Sequence, residues 1–595
     1  MIVLVLVTGL VFALIVLVIR PTQQRGKLLS LSAALAATAI KLWLVSWQDL
    51  IGNGAAGHDD FLFLWLAGFV SAGDWLGVYN EFTLIKGPFL SVWISWLHKI
   101  GLPFLLTNQL LYVFACVVAA IALRPVITSS WGVLIVYLVA LFNPMSFSLA
   151  HIARVDRFAI YSSLILLLHA CIVGWLLRCH RAKNADVIWL FGASLILGIA
   201  LITREASIWL FPGVALVLAA TMLFSRWNVR SAKRYLLCTV FLVVIAAIPT
   251  QLVSYMNWKH YEFWGVTEFG DSEFANAYGA LTRVEPRSPH MAVPISKQAR
   301  MNAYKVSSSL ATLEELLEGE LGQGWARVSS QELMQSLDGE IAGGWFMWAF
   351  RDAATRQGMH QWFGKSETFY KQIADEINFA CQQGPLECLA PRSGFTPVFD
   401  AGQLLPALNV FFKAWASMAT FSQYRPESDE SVGQDWMLDM FQDFTWERLS
   451  SNWQDGPTTE RYVDKQRAAE RRLEKIQSRY RKWAPALAIL LSLLFIYRLV
   501  LWVRLSTDEK RLLTAALAIL ANMGAYAAML SYIEVTSFLT INHQYLFPNH
   551  ALLCWLIGGG VALVGVRLGP KGVARIKSRV IKQSDKFCFR RPRQS

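Results

Sequence analysis

Residues 29–47, LSLSAALAATAIKLWLVSW, form an apolar run as long as the roughly 20 residues that cross a bilayer. A short polar loop later comes His58-Asp59-Asp60-Phe61-Leu62-Phe63, two adjacent carboxylates on the doorstep of a second apolar segment. Ionisable groups at a membrane are costly and are retained where they pair or act. Asp59 and Asp60 therefore either cap the next helix or do chemistry, and the rest of the chain bears on which.

The 595-residue chain is 55% hydrophobic and 16% charged, with a mean hydropathy of +0.38. Soluble proteins carry about 25% charged residues. Further apolar runs lie at 1–19, 105–123, 131–142, 159–177, 187–202, 208–224, 236–255, 484–503, 513–532 and 545–566. Together they predict an all-α polytopic membrane protein with about 11 transmembrane helices. The 1–19 run has no basic start and no small-residue cleavage site, so it is expected to be a retained helix. The net charge of +13 is concentrated in short segments: Arg20, Arg25 and Lys27; Arg178, Arg181 and Lys183; Arg226, Arg230, Lys233 and Arg234; and 571–593. All fall on one side of the predicted membrane, which fits the positive-inside bias and argues against nucleic acid as partner. The expected orientation has the N-terminus outside, the C-terminus in the cytoplasm and a multi-pass location in the plasma (inner) membrane.

Four modules follow: transmembrane residues 1–255 with chemistry-bearing outer loops, an extracytoplasmic domain at 256–482, transmembrane helices at 483–567 and a basic cytoplasmic tail at 568–595. In the first outer loop, 61–71 and 89–96 are rich in apolar and aromatic residues and suit short interfacial helices. Helical patterns at 310–321 and 367–379 mark the outer domain as mostly helical. Residues 459–483 read as a charged helix running into the next span. Of eight cysteines, only Cys381 and Cys388 fall in the outer domain, and their close spacing on an oxidising side predicts a disulfide. The tryptophans of Gly343-Gly344-Trp345-Phe346-Met347-Trp348 are expected in a packed helix start, with a sugar-stacking surface as the alternative.

Ionisable residues gather at the outer ends of the spans. The first loop holds His58, Asp59, Asp60 and Lys86; the second, His151, Arg154, Asp156 and Arg157; the third, Arg204 and Glu205; the last, His543 and Tyr545. Arginine grips phosphate in bidentate fashion and lysine supplies a point charge. Arg154, Arg157, Arg204 and Lys86 thus suit a phosphate or diphosphate. A carboxylate beside an acceptor hydroxyl can serve as general base. Asp59 or Asp60 takes that role, and Asp156 orients the acceptor, shares a metal or pairs with an arginine.

These motifs resemble the GT-C superfamily of integral-membrane glycosyltransferases, which includes protein O-mannosyltransferases and the aminoarabinose transferases of lipid A. The resemblance rests on Asp59-Asp60-Phe61 at the start of the first outer loop, Lys86-Gly87-Pro88 later in it, Asp156 in the second, and His543-Gln544-Tyr545-Leu546-Phe547-Pro548 before the last span. Gln544 stands where the family has arginine, and Gly87 separates Lys86 from its proline. The resemblance covers about 28–255 well and 484–566 loosely, and leaves the outer domain uncovered. It implies a polyprenyl-phosphate sugar as donor, inverting transfer to a glycan, lipid or protein acceptor on the outer face, and Asp59, the first acid of the pair, as base. In some relatives it implies a divalent ion, Mg²⁺ or Mn²⁺, for which Asp59 and Asp156 are the candidate ligands. A polysaccharide polymerase or O-antigen ligase and a lipid-linked sugar transporter are the alternatives. A transporter places polar groups near the bilayer midplane, whereas these charges crowd the outer ends.

Overall fold

The computed structural model describes residues 24–179, 185–223, 229–397, 399–425, 429–450 and 457–568. The expected helix at 1–19 and the tail at 571–593 lie outside the described residues, as do Arg20, Arg181, Lys183 and Arg226.

The first part runs α1 (Gln24–Val45), α2 (Asp60–Ala72), α3 (Phe89–Ile100), α4 (Phe104–Ala122), α5 (Ser130–Leu141), α6 (Phe158–Leu176), α7 (Ala185–Thr203), α8 (Phe211–Leu223) and α9 (Val229–Tyr261). The outer part carries α10 (Glu273–Leu281), α11 (Glu320–Leu333), α12 (Gly343–Arg356), α13 (Phe363–Gln383), α14 (Leu404–Thr420) and α15 (Asp435–Thr445). Then come α16 (Pro457–Val500), α17 (Thr507–Thr536) and α18 (His543–Leu568). Among the described residues there are isolated β-bridges and no longer strand.

Nine described helices are long and apolar enough to cross a membrane, one for each of nine expected runs. The run at 131–142 departs from expectation. It forms α5, whose 12 residues rise only about 18 Å, short of a bilayer's hydrocarbon core of about 30 Å. Helix α6 is the hub: its whole apolar stretch is buried, and it packs on α4, α7 and α18. A helix apolar all round needs such a central place. Helices α2 and α3, capped by left-handed Gly73 and Gly101, pack on each other above the bundle and expose Trp65 and Trp96.

The outer domain is built on α10–α13, around Phe274, Phe346, Phe350, Tyr370 and Ile373. Cys381 and Cys388 are bonded, with Cα atoms 5.6 Å apart. Helix α14 does not join that core. It lies against α17 and α18 and sends Ala414 and Met418 into the membrane-bundle core. Its other face leaves Leu405 67% and Phe412 61% exposed. Its packing makes it a shoulder of the helical bundle, within a stretch expected to be wholly soluble.

Candidate active site

Backbone stitching brings the acid loop to its partners. Ile51 N donates to Ala153 O at 2.7 Å, Leu50 N to Arg448 O at 2.8 Å, and Gly54 N to Val432 O at 2.7 Å. One extended stretch, 50–54, thus binds the second outer loop on one side and the segment before α16 on the other. Arg154 is held beside the start of α2.

The two acids then part company. Asp59 occupies the N-cap of α2 without any capping hydrogen bond from its side chain. It pairs with Lys86 instead, and its side chain is 53% exposed. Asp60, the first residue of α2, is fully buried and takes a two-pronged grip from Arg154, Nε to Oδ1 at 2.9 Å and Nη2 to Oδ2 at 2.5 Å. Crowding by surrounding protein raises the Asp59 carboxyl, but Lys86, Arg157 and Arg154 outweigh it and hold it below the usual carboxylate range. Burial pushes Asp60 up to about 6; Arg154 opposes this, and Asp156 and Asp59 add to it. Burial alone would lower Arg154 and Arg157, yet Asp60 beside the one and Glu205 beside the other raise both guanidinium groups further.

A second knot joins the other loops. Arg157 Nη1 donates to both Glu205 oxygens, at 3.0 and 2.8 Å, and Gly87 N donates to Glu205 Oε1 at 2.8 Å. A Cβ on Gly87 would sit 2.2 Å from Ile202 O, so only glycine lets the Lys86 loop lie on the end of α7. The residue that separates Lys86 from Pro88 therefore has a packing reason. Asp156 is buried and accepts from Phe158 N at 3.2 Å at the entry to α6. Arg204 is buried with Nη1 3.1 Å from the Tyr526 hydroxyl and its guanidinium over the rings of Phe158 (4.2 Å) and Tyr545 (4.9 Å). Among the described residues it has no carboxylate partner. Tyr545 meets Phe158 edge-on at 5.4 Å, which brings the last span to the cluster. The side chains of His151 and His543 lie outside the described residues.

His58 packs where the sequence did not place it. Its ring lies flat on Trp348 of α12, 4.4 Å away and 6° from parallel, with Trp325 of α11 at 5.6 Å. Burial and Lys86 lower its pKa, and its buried Nδ1 has no protein partner among the described residues. Trp348 thus faces the acid loop, while Phe346 two residues earlier fills the outer-domain core. Below it, Arg351 of α12 pairs with Glu268, both about 1% exposed. Arg351 also donates to Glu81 O at 2.8 and 3.0 Å, and Tyr79 donates to Glu268 at 2.8 Å. This clamp ties the outer domain to the loop carrying Lys86. Its members lie far apart in the chain, so no local pattern pairs them.

A divalent ion fits this donor set poorly. Among the described residues no three His, Cys, Asp or Glu side chains converge. Asp59 and Asp60 already face cations, and Asp156 accepts a backbone N–H.

A cavity of about 170 Å³ lies on the far side of Ala153, lined by Val45, Gln48, Leu105, Gln109 and Glu447 among others.

No family model and no curated protein matches the chain. Two solved structures align with it over 86% of this chain and 77% of theirs, at 15% identity. They are ArnT from Cupriavidus metallidurans in the apo state, with a TM-score of 0.30, and the same protein bound to undecaprenyl phosphate, with a TM-score of 0.28. A superposition this loose carries no residue roles from those chains to this one.

Proposed function

We propose that this chain is a membrane glycosyltransferase that moves a sugar from a polyprenyl-phosphate donor to a nucleophile on the face carrying the acid loops, with inversion at the anomeric carbon. The donor class comes from the motif resemblance. The observation that carries the chemistry is Asp59: an accessible carboxylate paired with Lys86 and close to Arg157 and Arg154. The proposed setting is the plasma membrane, with these loops extracytoplasmic and the C-terminus cytoplasmic.

In this mechanism Asp59 takes the proton of the acceptor hydroxyl as its oxygen attacks the anomeric carbon. The bond from that carbon to the phosphate oxygen breaks, and polyprenyl phosphate departs with the electron pair. Lys86 and Arg204 receive the developing charge, the kind of preorganised stabilisation that supplies much of an enzyme's rate. Before the donor arrives, Lys86 holds Asp59 low and weakly basic. A donor phosphate that draws Lys86 away restores the basicity of Asp59 when there is a sugar to transfer. Asp60 is too buried to reach an acceptor and acts by positioning Arg154; Glu205 does the same for Arg157. Asp156 organises the entry to α6. Tyr545 and His58 shape the walls. No step passes through a metal ion.

Mass spectrometry of lipids copurifying with the full chain tests the donor; a polyprenyl phosphate or its sugar ester is expected. Asp59→Asn tests the base, with transfer falling and the melting temperature unchanged. A normal turnover in Asp59→Asn would overturn the assignment.

A further inference from the structure

Helix α16 carries a row of cations that the site does not use. Arg472, Lys475, Arg479 and Lys482 follow at i, i+3, i+7 and i+10. At 3.6 residues per turn they share an arc about 80° wide over about 15 Å of helix. All four are exposed, and none has an ion pair among the described residues. Glu470 and Glu474 point away from that arc by the same geometry. The inward face, Ala469, Leu473, Tyr480 and Ala484, lies about 130° round the helix.

The position of the row is as telling as its composition. Lys482 directly precedes Trp483 and the apolar stretch that enters the membrane. The Tyr480 hydroxyl donates to Val139 O at 3.0 Å, in the last turn of α5, and Trp483 lies 4.5 Å from Tyr480. Tryptophan and tyrosine favour the membrane–water boundary, so the row begins at that boundary. Arg472 stands 5.0 Å from the ring of Trp43, itself exposed near the end of α1. This is the same face as Asp59, because the start of α16 reaches the acid loop's base: Tyr462 donates to Asp49 at 2.7 Å.

Positive charge beside a span ordinarily belongs on the cytoplasmic side. Four exposed cations without an acid partner among the described residues, on the site's side and next to the start of the apolar stretch, complement a surface of anionic phosphates. We infer that Arg472, Lys475, Arg479 and Lys482 form a docking surface for the phosphate headgroups of anionic lipids in the leaflet on the site's side. The surface is separate from the donor site and concentrates anionic amphiphiles beside the bundle.

Native mass spectrometry of the detergent-solubilised full chain, titrated with dioleoyl phosphatidylglycerol or dioleoyl phosphatidylcholine, tests this. The unaltered chain should prefer the anionic lipid. The variant R472Q/K475Q/R479Q/K482Q should lose that preference by about tenfold or more, since juxtamembrane cations each add to the attraction of anionic headgroups. The variant R472K/R479K, which keeps the charge, should retain it, as should K305Q/K371Q on remote outer-domain lysines. Equal preference in the fourfold glutamine variant and the unaltered chain would overturn the proposal. So would an equal loss in the remote variant, or displacement of the lipid by inorganic phosphate, which would make this a free-anion site.

Discussion

Two buried-charge regions face each other across the first outer loop, and they are built to opposite ends. In the clamp, Arg351 and Glu268 are almost completely buried, and Glu81 O and Tyr79 complete their hydrogen bonds, with Ser366 bonded in turn to the Tyr79 hydroxyl. In the candidate site, Asp59 is half open to solvent and Arg204 has no acid partner among the described residues. A buried pair with every donor and acceptor satisfied is a fixture, costly to break from either side. A crevice holding a surplus of cations and one reachable carboxylate has room for an anionic ligand. The clamp holds the loop that carries Lys86, so the rigid region sets the geometry of the exchangeable one.

The largest effect expected from breaking this contrast is in the clamp. Glu268→Ala strands Arg351 and should cost about 3–5 kcal/mol of stability, visible as a large fall in melting temperature. Asp59→Asn should leave melting unchanged and reduce transfer by about a hundredfold or more, the scale of a lost general base. Equal losses of stability in both variants would erase the distinction between the regions. Gly87→Ala should fall between them, costing about 1–3 kcal/mol as the Lys86 loop is pushed off α7, and should raise the donor KM more than it lowers kcat.

The pH response sharpens the difference between Asp59 and Asp60. Asp60, lifted from 3.8 to about 6, favours the folded chain fully below pH 3.8, and that contribution is gone once the pH rises through about 6. The stability of the unaltered chain relative to Asp60→Asn should therefore fall between about pH 4 and about pH 6 in thermal melts. Transfer should run the other way, falling as pH drops through about 6, because a protonated Asp60 releases Arg154. The smallest effect is expected at the seam: Trp348→Leu should cost about 0.5–1.5 kcal/mol, the worth of an aromatic stack, with a modest rise in donor KM.

Much of the architecture was legible because membrane partition is a local property. Nine apolar runs reappear as helices that can span, and the segments at 61–71 and 89–96 form the short helices α2 and α3. The run at 131–142 forms a helix of only 12 residues, packed on α4 and α18, so its apolar pattern overstated the length of helix it makes. Helix α14 was hidden inside a stretch whose average composition is polar. At the site, the residue types were readable and their pairing was not. Glu268 and Arg351 are 83 residues apart, and nothing in either neighbourhood marks the other. The Trp348–His58 stack is likewise a meeting of two domains that no local pattern encodes.

By itself the sequence determined that this is an α-helical membrane protein with its chemistry-bearing charges at one end of the spans, because the cost of placing each side chain in lipid is set residue by residue. Only the tertiary structure decided which of two adjacent aspartates meets solvent. Successive side chains at a helix start diverge, and the 50–54 stitch delivers Arg154 to Asp60 while the Gly87 loop delivers Lys86 to Asp59. Those partners arrive from loops that the chain's linear order leaves far apart.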